Sequence, residues 1–326
     1  MPIAGISLRS LSTVRDEQLS DDKRGDAVFM KEQRKIIIEN ALRTAKETGS
    51  EKIFLFLDTI QACRWWLNAG VAEKDNFIIV IPENLRMKGL ALKESCASVI
   101  RSWSGNQTRF SRIKYAFLHG VIQGMINENS KVVCILGPSG KNHLDTITIH
   151  DLSLSWSEEF PFKVTGLIRR KAFYTIIAVI DIALDIGALG REGKSVGTIF
   201  VIGDSQKTLK LSHQAVFNPF KGYPAKERKI TRPEVVESLK EFAKLDGAII
   251  ISDQGTVEAA GRHLDAGGST AKKLRGLGAR HRSAAGITRK TMSVAVVVSE
   301  STGKVTIFDE GVIALTLEPL ISRRLV

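Results

Sequence analysis

Two short segments in the C-terminal half of the chain combine residue types suited to a phosphorylated substrate. Asp246-Gly247-Ala248 sets a carboxylate beside a glycine, where a predicted helix gives way to a predicted strand, and Gly278-Ala279-Arg280-His281-Arg282 follows downstream. A carboxylate can hold a divalent cation and orient a hydroxyl, whereas arginine and histidine can neutralise a polyphosphate. Taken alone, Asp246-Gly247 is a common way to end a helix, so the basic segment carries the case for chemistry on a nucleotide.

The basic segment belongs to a strongly positive stretch. Residues 261–290 contain eight lysines and arginines and one acid, and eight minus one gives a net charge of +7. The glycines predict a loop that leads into a helix N-terminus after Arg282, where free N–H groups and the helix dipole favour phosphate oxygens. Arg280 and Arg282 would not share a helix face, so we expect them on a turn that holds an anion from two sides. The alternative is a solvated basic loop, in which such interleaved glycines are less usual.

With a third segment, Val298-Ser299-Glu300-Ser301-Thr302-Gly303, these two segments resemble the three signature blocks of diadenylate cyclase domains in order and spacing. The resemblance covers roughly residues 163–320. It implies that two ATP molecules condense into cyclic di-AMP, a second messenger, with release of two pyrophosphates.

The resemblance also implies roles for individual residues. Asp246 would bind Mg²⁺ or Mn²⁺ and help activate the ribose 3′-hydroxyl, and Glu300 is a second candidate metal ligand. The positions implied to hold the triphosphate and act in catalysis beside Asp246 are Arg280, His281 and Arg282. The positions implied to contact the nucleotide are Gly247, Ala248, Leu264, Gly278, Ala279 and Ser299.

Two positions depart from the family pattern. Ala279 stands where the family commonly has threonine, and Ser301 follows Glu300 where two consecutive acids are often found. A backbone N–H at position 279 could replace the missing hydroxyl contact. The departures leave two hypotheses, an active cyclase and a nucleotide or cyclic di-AMP sensor without turnover. Asp246 favours the enzyme, because a pure binding site has little use for a carboxylate beside phosphates unless a cation lies between them.

Ring closure requires two opposed phosphodiester bonds. A site that holds one ATP cannot form both, so the resemblance implies that two domains meet face to face in a homo-oligomer.

We expect His281 to have a depressed pKa in the absence of ligand, because the flanking Arg280 and Arg282 disfavour its charge.

The net charge of +12 is unevenly distributed. Residues 1–160 carry 21 basic and 19 acidic residues, a net +2, whereas residues 161–326 carry 26 and 16, a net +10. Positive charge is therefore concentrated in the half expected to receive ATP. Nucleic acid binding is the weaker reading, because aromatic residues make up only 6% and no recognition motif is present.

The chain has the composition of a cytoplasmic protein. Three cysteines, Cys63, Cys96 and Cys134, are scattered in apolar segments and predict neither a disulfide framework nor a zinc site. The N-terminus is polar and unlike a signal peptide. The most apolar helix candidate, Leu167 to Leu189, contains Asp181 and is interpreted as a buried core helix, so no membrane association is expected.

The chain is expected to form two α/β domains, residues 1–155 and 163–326, with a linker at 153–163. Alternating elements in the first predict three layers with a mainly parallel sheet, and weakly resemble the C-terminal domain of pyruvate kinase. The expected elements are a helix at 31–48, a strand at 52–57, a helix at 60–69, a strand at 77–81, helices around 89–101 and 112–127, and strands at 132–136 and 146–149.

The second domain is predicted as a mixed sheet flanked by helices. Thr231 and Glu234 have the spacing of a capping box that starts a helix ending near Leu245, and a terminal hairpin is expected around residues 309–311.

In the first half, Gly137-Pro138-Ser139-Gly140-Lys141 is too short for a P-loop and predicts a turn that ends a strand.

Overall fold

A computed structural model describes residues 32–71, 73–86, 98–154, 167, 170–190, 194–265 and 278–320. The helices and strands of the first half are α1 (residues 32–48), β1 (Lys52–Phe56), α2 (Ile60–Asn68), β2 (Phe77–Pro82), β3 (Ser98–Ser102), α3 (Arg109–Ile122), β4 (Lys131–Leu136) and β5 (Thr146–Asp151). The expected alternation of helices and strands is confirmed.

The first sheet has the strand order β3-β2-β1-β4-β5. Its first four strands are parallel, and β5 pairs with β4 in the antiparallel direction. One expected helix, at 89–101, is wrong at its C-terminal end, because Ser98–Ser102 is a strand in which Val99 pairs with Ile79. The β-branched pair Val99-Ile100 favours this extended pairing, while residues 89–97 lie outside the described part.

The second half contains a mixed sheet, as expected. Its elements are α4 (Phe173–Leu189), β6 (Thr198–Ile202), α5 (Ser205–Lys210), β7 (Ser212–Gln214), α6 (Pro233–Phe242), β8 (Ala248–Ile251), β9 (Val257–Leu264), α7 (Ala279–Lys290), β10 (Val294–Val298), β11 (Val305–Asp309) and β12 (Val312–Leu317). The strand order is β12-β11-β10-β6-β8-β9-β7. Only β6 and β8 pair in parallel within it, and β11 and β12 form the expected hairpin.

The capping box expected at the start of α6 is not formed. The helix begins at Pro233, its N-cap is Arg232, and no side chain caps it. Proline is suited to the first helical position because its fixed φ is helical and it needs no N–H acceptor there. This shifts the start of the helix past Thr231, and Glu234 instead pairs with Arg232.

Buried side chains form layers around the two sheets. Helices α3 and α4 contribute residues such as Phe117 and Ile176 to a core that also contains Phe54 of the first sheet and Phe200 of the second. Residues of α1 and α2 cover the opposite face of the first sheet, and α7 covers the opposite face of the second. The result is the α/β architecture that the sequence predicted.

The apolar helix predicted from Leu167 begins at Phe173 and is a core helix, as expected. Its two acids have partners across the interface between the halves. Tyr115 Oη donates to Asp181 Oδ1 over 2.6 Å, and Trp103 Nε1 donates to Asp185 Oδ1 over 2.8 Å. Among the described helices, none combines the length and the apolarity required to cross a membrane. Cys63 and Cys134 are buried, and Cys96 lies outside the described residues.

Candidate active site

The register of the second sheet brings the first and third sequence segments to one edge. Parallel pairing of Ile199 with Ala248 aligns the starts of β6 and β8. Antiparallel pairing of Val298 with Thr198 places the end of β10 beside the start of β6. The segments before β8 and after β10 therefore flank the start of β6, about 10 Å apart as two strand spacings require. This side of the sheet, formed by the end of β10 and the starts of β6 and β8, is called the β10–β6–β8 edge below, although none of the three is an edge strand.

Asp246 lies at the β8 end of this edge, in the junction between α6 and β8. Its side chain is exposed, and Oδ1 accepts the Gly247 N–H over 2.9 Å. Gly247 has φ +100°, and an added Cβ would lie 2.7 Å from Arg262 N and from Gly261 C. The glycine is therefore required twice, by its left-handed φ and by the closeness of β9. A rigid backbone thus presents an exposed carboxylate, while Ala248 is buried in the sheet.

Helix α7 starts earlier than expected. Its N-cap is Gly278, and its first hydrogen bond runs from the Arg282 N–H to the Gly278 carbonyl over 3.2 Å. Arg280 and Arg282 therefore lie in the first helical turn and not on a turn before it, so the expected clamp by two arginines on a turn is wrong. The N–H groups of Ala279, Arg280 and His281 precede the helical hydrogen-bond ladder and lie at the positive end of the helix dipole.

Arg280 connects the second and third segments. Its Nη1 lies 3.1 Å from Glu300 Oε2, and both side chains are partly exposed. The pair lies against Gly197, immediately before β6, where an added Cβ would be 2.7 Å from Glu300 Cβ and 2.8 Å from Arg280 Nη1. Gly197 carries no signal in the sequence, because only the sheet register places it between the two segments.

His281 is partly buried beside Arg280. Burial lowers its pKa, with smaller contributions from the positive charges of Arg280 and Lys304. The expected direction of this pKa shift is confirmed, but burial is the main cause and Lys304 takes the place expected for Arg282. The ring approaches Phe308 edge-on, with centroids 6.0 Å apart. Lys304 also forms an ion pair of 2.6 Å with Glu318 and was missed in the sequence.

The third segment is a compact turn between β10 and β11. The Ser299 N–H donates to the Lys304 carbonyl and the Gly303 N–H donates to the Ser299 carbonyl, each over 2.9 Å. The hydroxyls of Ser299 and Ser301 lie 3.3 Å apart. Ser301 therefore places a second hydroxyl beside Ser299.

Leu264 and Arg262 lie at the end of β9 with different roles. Leu264 is 8% exposed and packs beneath α7 with Ala284 and Ile287, so a contact with adenine would use only the edge of its side chain. Arg262 donates to the Leu209 carbonyl over 2.8 Å and contacts the Ser212 hydroxyl and carbonyl. This arginine, one of the eight bases of the positive stretch, is thus committed to the β7–β9 edge.

The metal ligands suggested by the sequence are separated at this edge. Glu300 is paired with Arg280, whereas Asp246 is exposed two strands away. Across the described ranges, no three His, Cys, Asp or Glu side chains are grouped to hold a metal ion. Mg²⁺ in nucleotide sites is usually held by one or two carboxylates together with substrate phosphates and water. Asp246 fits that pattern as a single protein ligand.

Comparisons with known proteins relate the second half of this chain to diadenylate cyclases. Residues 185–313 match the DAC family, described as DisA bacterial checkpoint controller nucleotide-binding. A diadenylate cyclase of Methanocaldococcus jannaschii is 36% identical over 208 residues, which are 64% of this chain and 66% of that protein. A diadenylate cyclase of Haloferax volcanii is 38% identical over 141 residues, or 43% of this chain and 51% of that protein.

The chain thus matches about two thirds and about half of the length of these two relatives. Among solved structures, a double mutant of DacA from Staphylococcus aureus is 22% identical, covering 43% of this chain and 84% of its own, with a TM-score of 0.28. The matched residues 185–313 include all three segments of the β10–β6–β8 edge.

Proposed function

The chain belongs to the diadenylate cyclase (DAC) domain family, and from that premise we propose that it condenses two ATP molecules into cyclic di-AMP. The observation that carries the proposal is the convergence of Asp246, the start of α7 and the Ser299–Glu300 turn at one sheet edge. A carboxylate at one end and basic groups with unused N–H donors at the other match the two ends of a nucleoside triphosphate.

Asp246 acts at the ribose end of the substrate. With Mg²⁺ or Mn²⁺ bound at this carboxylate, the cation would lower the pKa of the 3′-hydroxyl and so generate the nucleophile. The protein's own contribution is orientation: the Gly247 N–H fixes one carboxylate oxygen, and the constrained backbone at Gly247 fixes the residue. Glu300 lies about two strand spacings from Asp246, so it would be a candidate ligand only for a cation at its own end of the edge, once Arg280 turned to a phosphate.

The start of α7 acts at the triphosphate end. Arg280 and Arg282 supply positive charge, and the N–H groups of Ala279, Arg280 and His281 supply donors without needing a side-chain hydroxyl at position 279. His281, held neutral by burial, would gain a proton as phosphate oxygens approach and then donate to them. These groups stabilise the charge that develops as pyrophosphate leaves the α-phosphorus.

Cyclisation requires two such sites to face each other. Each 3′-hydroxyl attacks the α-phosphorus of the nucleotide in the other subunit, so one domain supplies half of the reacting groups. We therefore propose a homo-oligomer containing at least one face-to-face pair of DAC domains, in the cytoplasm, where three scattered cysteines without a disulfide framework are usual. Specific activity should fall on dilution below the dissociation constant of this pair.

The test is product analysis by chromatography and mass spectrometry after incubation with ATP and either Mg²⁺ or Mn²⁺. Asp246→Asn is compared with Asp253→Asn, a matched exposed aspartate at the other end of β8. Cyclic di-AMP that requires metal and is lost only in Asp246→Asn supports the proposal. Tight ATP binding without product under either metal would replace it with a sensor of nucleotide or cyclic di-AMP.

A further inference from the structure

We propose a second binding site, for a small uncharged molecule about the size of a nucleobase, in a cavity of the first sheet. In the strand order β3-β2-β1-β4-β5, the chain adds β2 and β3 on one side of β1 and β4 on the other. The order of the parallel strands therefore reverses between β1 and β4. In parallel sheets, ligands bind at the carboxyl ends of the strands where the order reverses. A cavity of about 180 Å³ lies at this edge, between the ends of β1, β2 and β3 and the turn after β4.

The unsatisfied side-chain amide of Gln107 points to a ligand. It lines the cavity, its exposed fraction is 2%, and neither its Oε1 nor its Nε2 has a hydrogen-bond partner. A buried amide with both atoms unsatisfied is unusual in a native protein and calls for an explanation. Both amide atoms are closed off from solvent in the empty cavity, so a ligand would have to displace the cavity wall to reach them. It would then offer an adjacent acceptor and donor to this side-by-side donor and acceptor, as adenine does to glutamine through N7 and N6.

The charged groups of the cavity favour an uncharged ligand. Arg112 Nη2 lies 2.5 Å from Asp58 Oδ1, and both side chains are buried. Arg112 also donates to the Gly137 carbonyl over 2.9 Å, and the Gly140 N–H donates to Asp58 Oδ2 over 2.8 Å. Since the two charges neutralise each other and are already hydrogen-bonded, a phosphate or carboxylate would find no uncompensated positive charge here.

Part of the cavity wall is aromatic. Trp103 lines the cavity, and an added Cβ at Gly105 would lie 2.0 Å from its Cη2, so the ring occupies this place only because residue 105 is glycine. Ser102 and Ser104 add hydroxyls to the lining. A large apolar ring together with a few fixed polar groups is the usual composition of a small-molecule site.

The segment that forms this wall also joins the two halves of the chain. Trp103 donates to Asp185 of α4, the Thr108 N–H donates to the Glu318 carbonyl over 3.1 Å, and the Leu320 N–H donates to the Asn106 carbonyl over 2.7 Å. A bound ligand would therefore contact the segment that holds the end of β12. Ligand binding should stabilise the whole chain, which supplies a second measurement.

The experiment measures adenine binding to the full-length protein by calorimetry, without ATP or metal, so that its outcome does not depend on cyclase activity. Wild type is compared with Gln107→Leu, which removes the amide at similar volume, and with Gln123→Leu, an exposed control beyond α3. We expect saturable binding that weakens at least about ten-fold in Gln107→Leu alone. Equal affinity in all three proteins would place the adenine elsewhere and overturn the proposal, as would no saturable binding to wild type.

Thermal unfolding gives an independent readout. Without ligand, Gln107→Leu should unfold at a higher temperature than wild type, because it removes an unsatisfied buried amide. A lower temperature would show that the amide is satisfied in the empty protein and would remove the basis for the site. Adenine should raise the unfolding temperature of wild type and not that of Gln107→Leu. If the leucine variant does not fold, Gln107→Glu, which replaces the donor by an acceptor, serves in the same comparison.

Discussion

Arg280 and Glu300 form an ion pair of 3.1 Å directly above Gly197, where no side chain separates them from the start of β6. The two residues come from different signature segments, so the pair fixes the start of α7 against the turn after β10. In the absence of nucleotide the pair neutralises the arginine that we propose to hold the triphosphate. Nucleotide binding must therefore compete with Glu300 for Arg280.

Glu300→Gln should strengthen ATP binding in the absence of metal. Removal of the competing carboxylate frees Arg280, and partly exposed ion pairs are worth up to about 1 kcal/mol, so we expect about a three- to five-fold gain in affinity. Isothermal titration with ATP and a chelator measures it. Glu234→Gln, which breaks the exposed Arg232–Glu234 pair on α6, should change nothing. Unchanged affinity in Glu300→Gln would mean that the pair does not oppose binding.

Gly197→Ala should impair turnover while the protein stays folded. The added Cβ would lie 2.7 Å from Glu300 Cβ and 3.1 Å from Glu300 N, so the turn after β10 must shift and Arg280 with it. Small displacements of positioning groups are costly, and we expect about a ten-fold or greater loss of kcat. Gly70→Ala is the control, because its Cβ would meet nothing within 4 Å. Wild-type turnover in Gly197→Ala would show that the pair need not be held in this place.

The sequence predicted most of the helices and strands, but it predicted a helix where β3 lies and did not predict the contacts between elements. Continuous apolar runs such as residues 132–136 predict buried strands, and their alternation with helices predicts the fold class. The role of Gly197 depends on the antiparallel register of β6 and β10, which joins residues about a hundred positions apart. The start of α7 at Ala279 was also missed, because glycine as an N-cap gives a weaker signal than serine or aspartate.

Gly247→Ala should destabilise the protein more than its backbone conformation alone requires. Gly247 and Gly222 have similar φ values, +100° and +92°, but a Cβ at Gly247 would collide with β9 whereas one at Gly222 would meet nothing within 4 Å. We expect Gly247→Ala to lower the free energy of unfolding by about 1–3 kcal/mol more than Gly222→Ala. Urea denaturation of the two variants gives the difference. Equal losses would indicate that β9 can yield at Arg262.

His281 should make ATP binding tighter at acidic pH. Burial and the charges of Arg280 and Lys304 lower its pKa in the free protein, whereas phosphate oxygens raise it in the complex. Binding then takes up a proton, so affinity rises as pH falls through the pKa of the complex. Titrations from about pH 8 to about pH 6 should show a steeper rise in affinity for wild type than for His281→Gln. Because ATP itself titrates in the same way in both experiments, the difference between the two proteins reports on His281 alone. Parallel pH profiles would exclude this protonation.

Asp181 should make stability decrease with rising pH. Its pKa is raised to about 7, mainly by burial. The hydrogen bond from Tyr115 lowers this pKa, and the negative charges of Glu83 and Asp185 raise it. The folded state therefore keeps a proton that the unfolded chain has lost, and the stabilisation is complete below the unfolded pKa and is lost as pH rises through about 7.

Asp181→Asn removes this loss and keeps an oxygen for the Tyr115 hydroxyl. We expect the variant to exceed wild type by on the order of 2 kcal/mol at about pH 8 and by much less at about pH 5. Urea denaturation at both pH values measures the difference, with Asp253→Asn as an exposed control that should follow wild type. A constant difference between Asp181→Asn and wild type across this range would show that the carboxyl group does not titrate there.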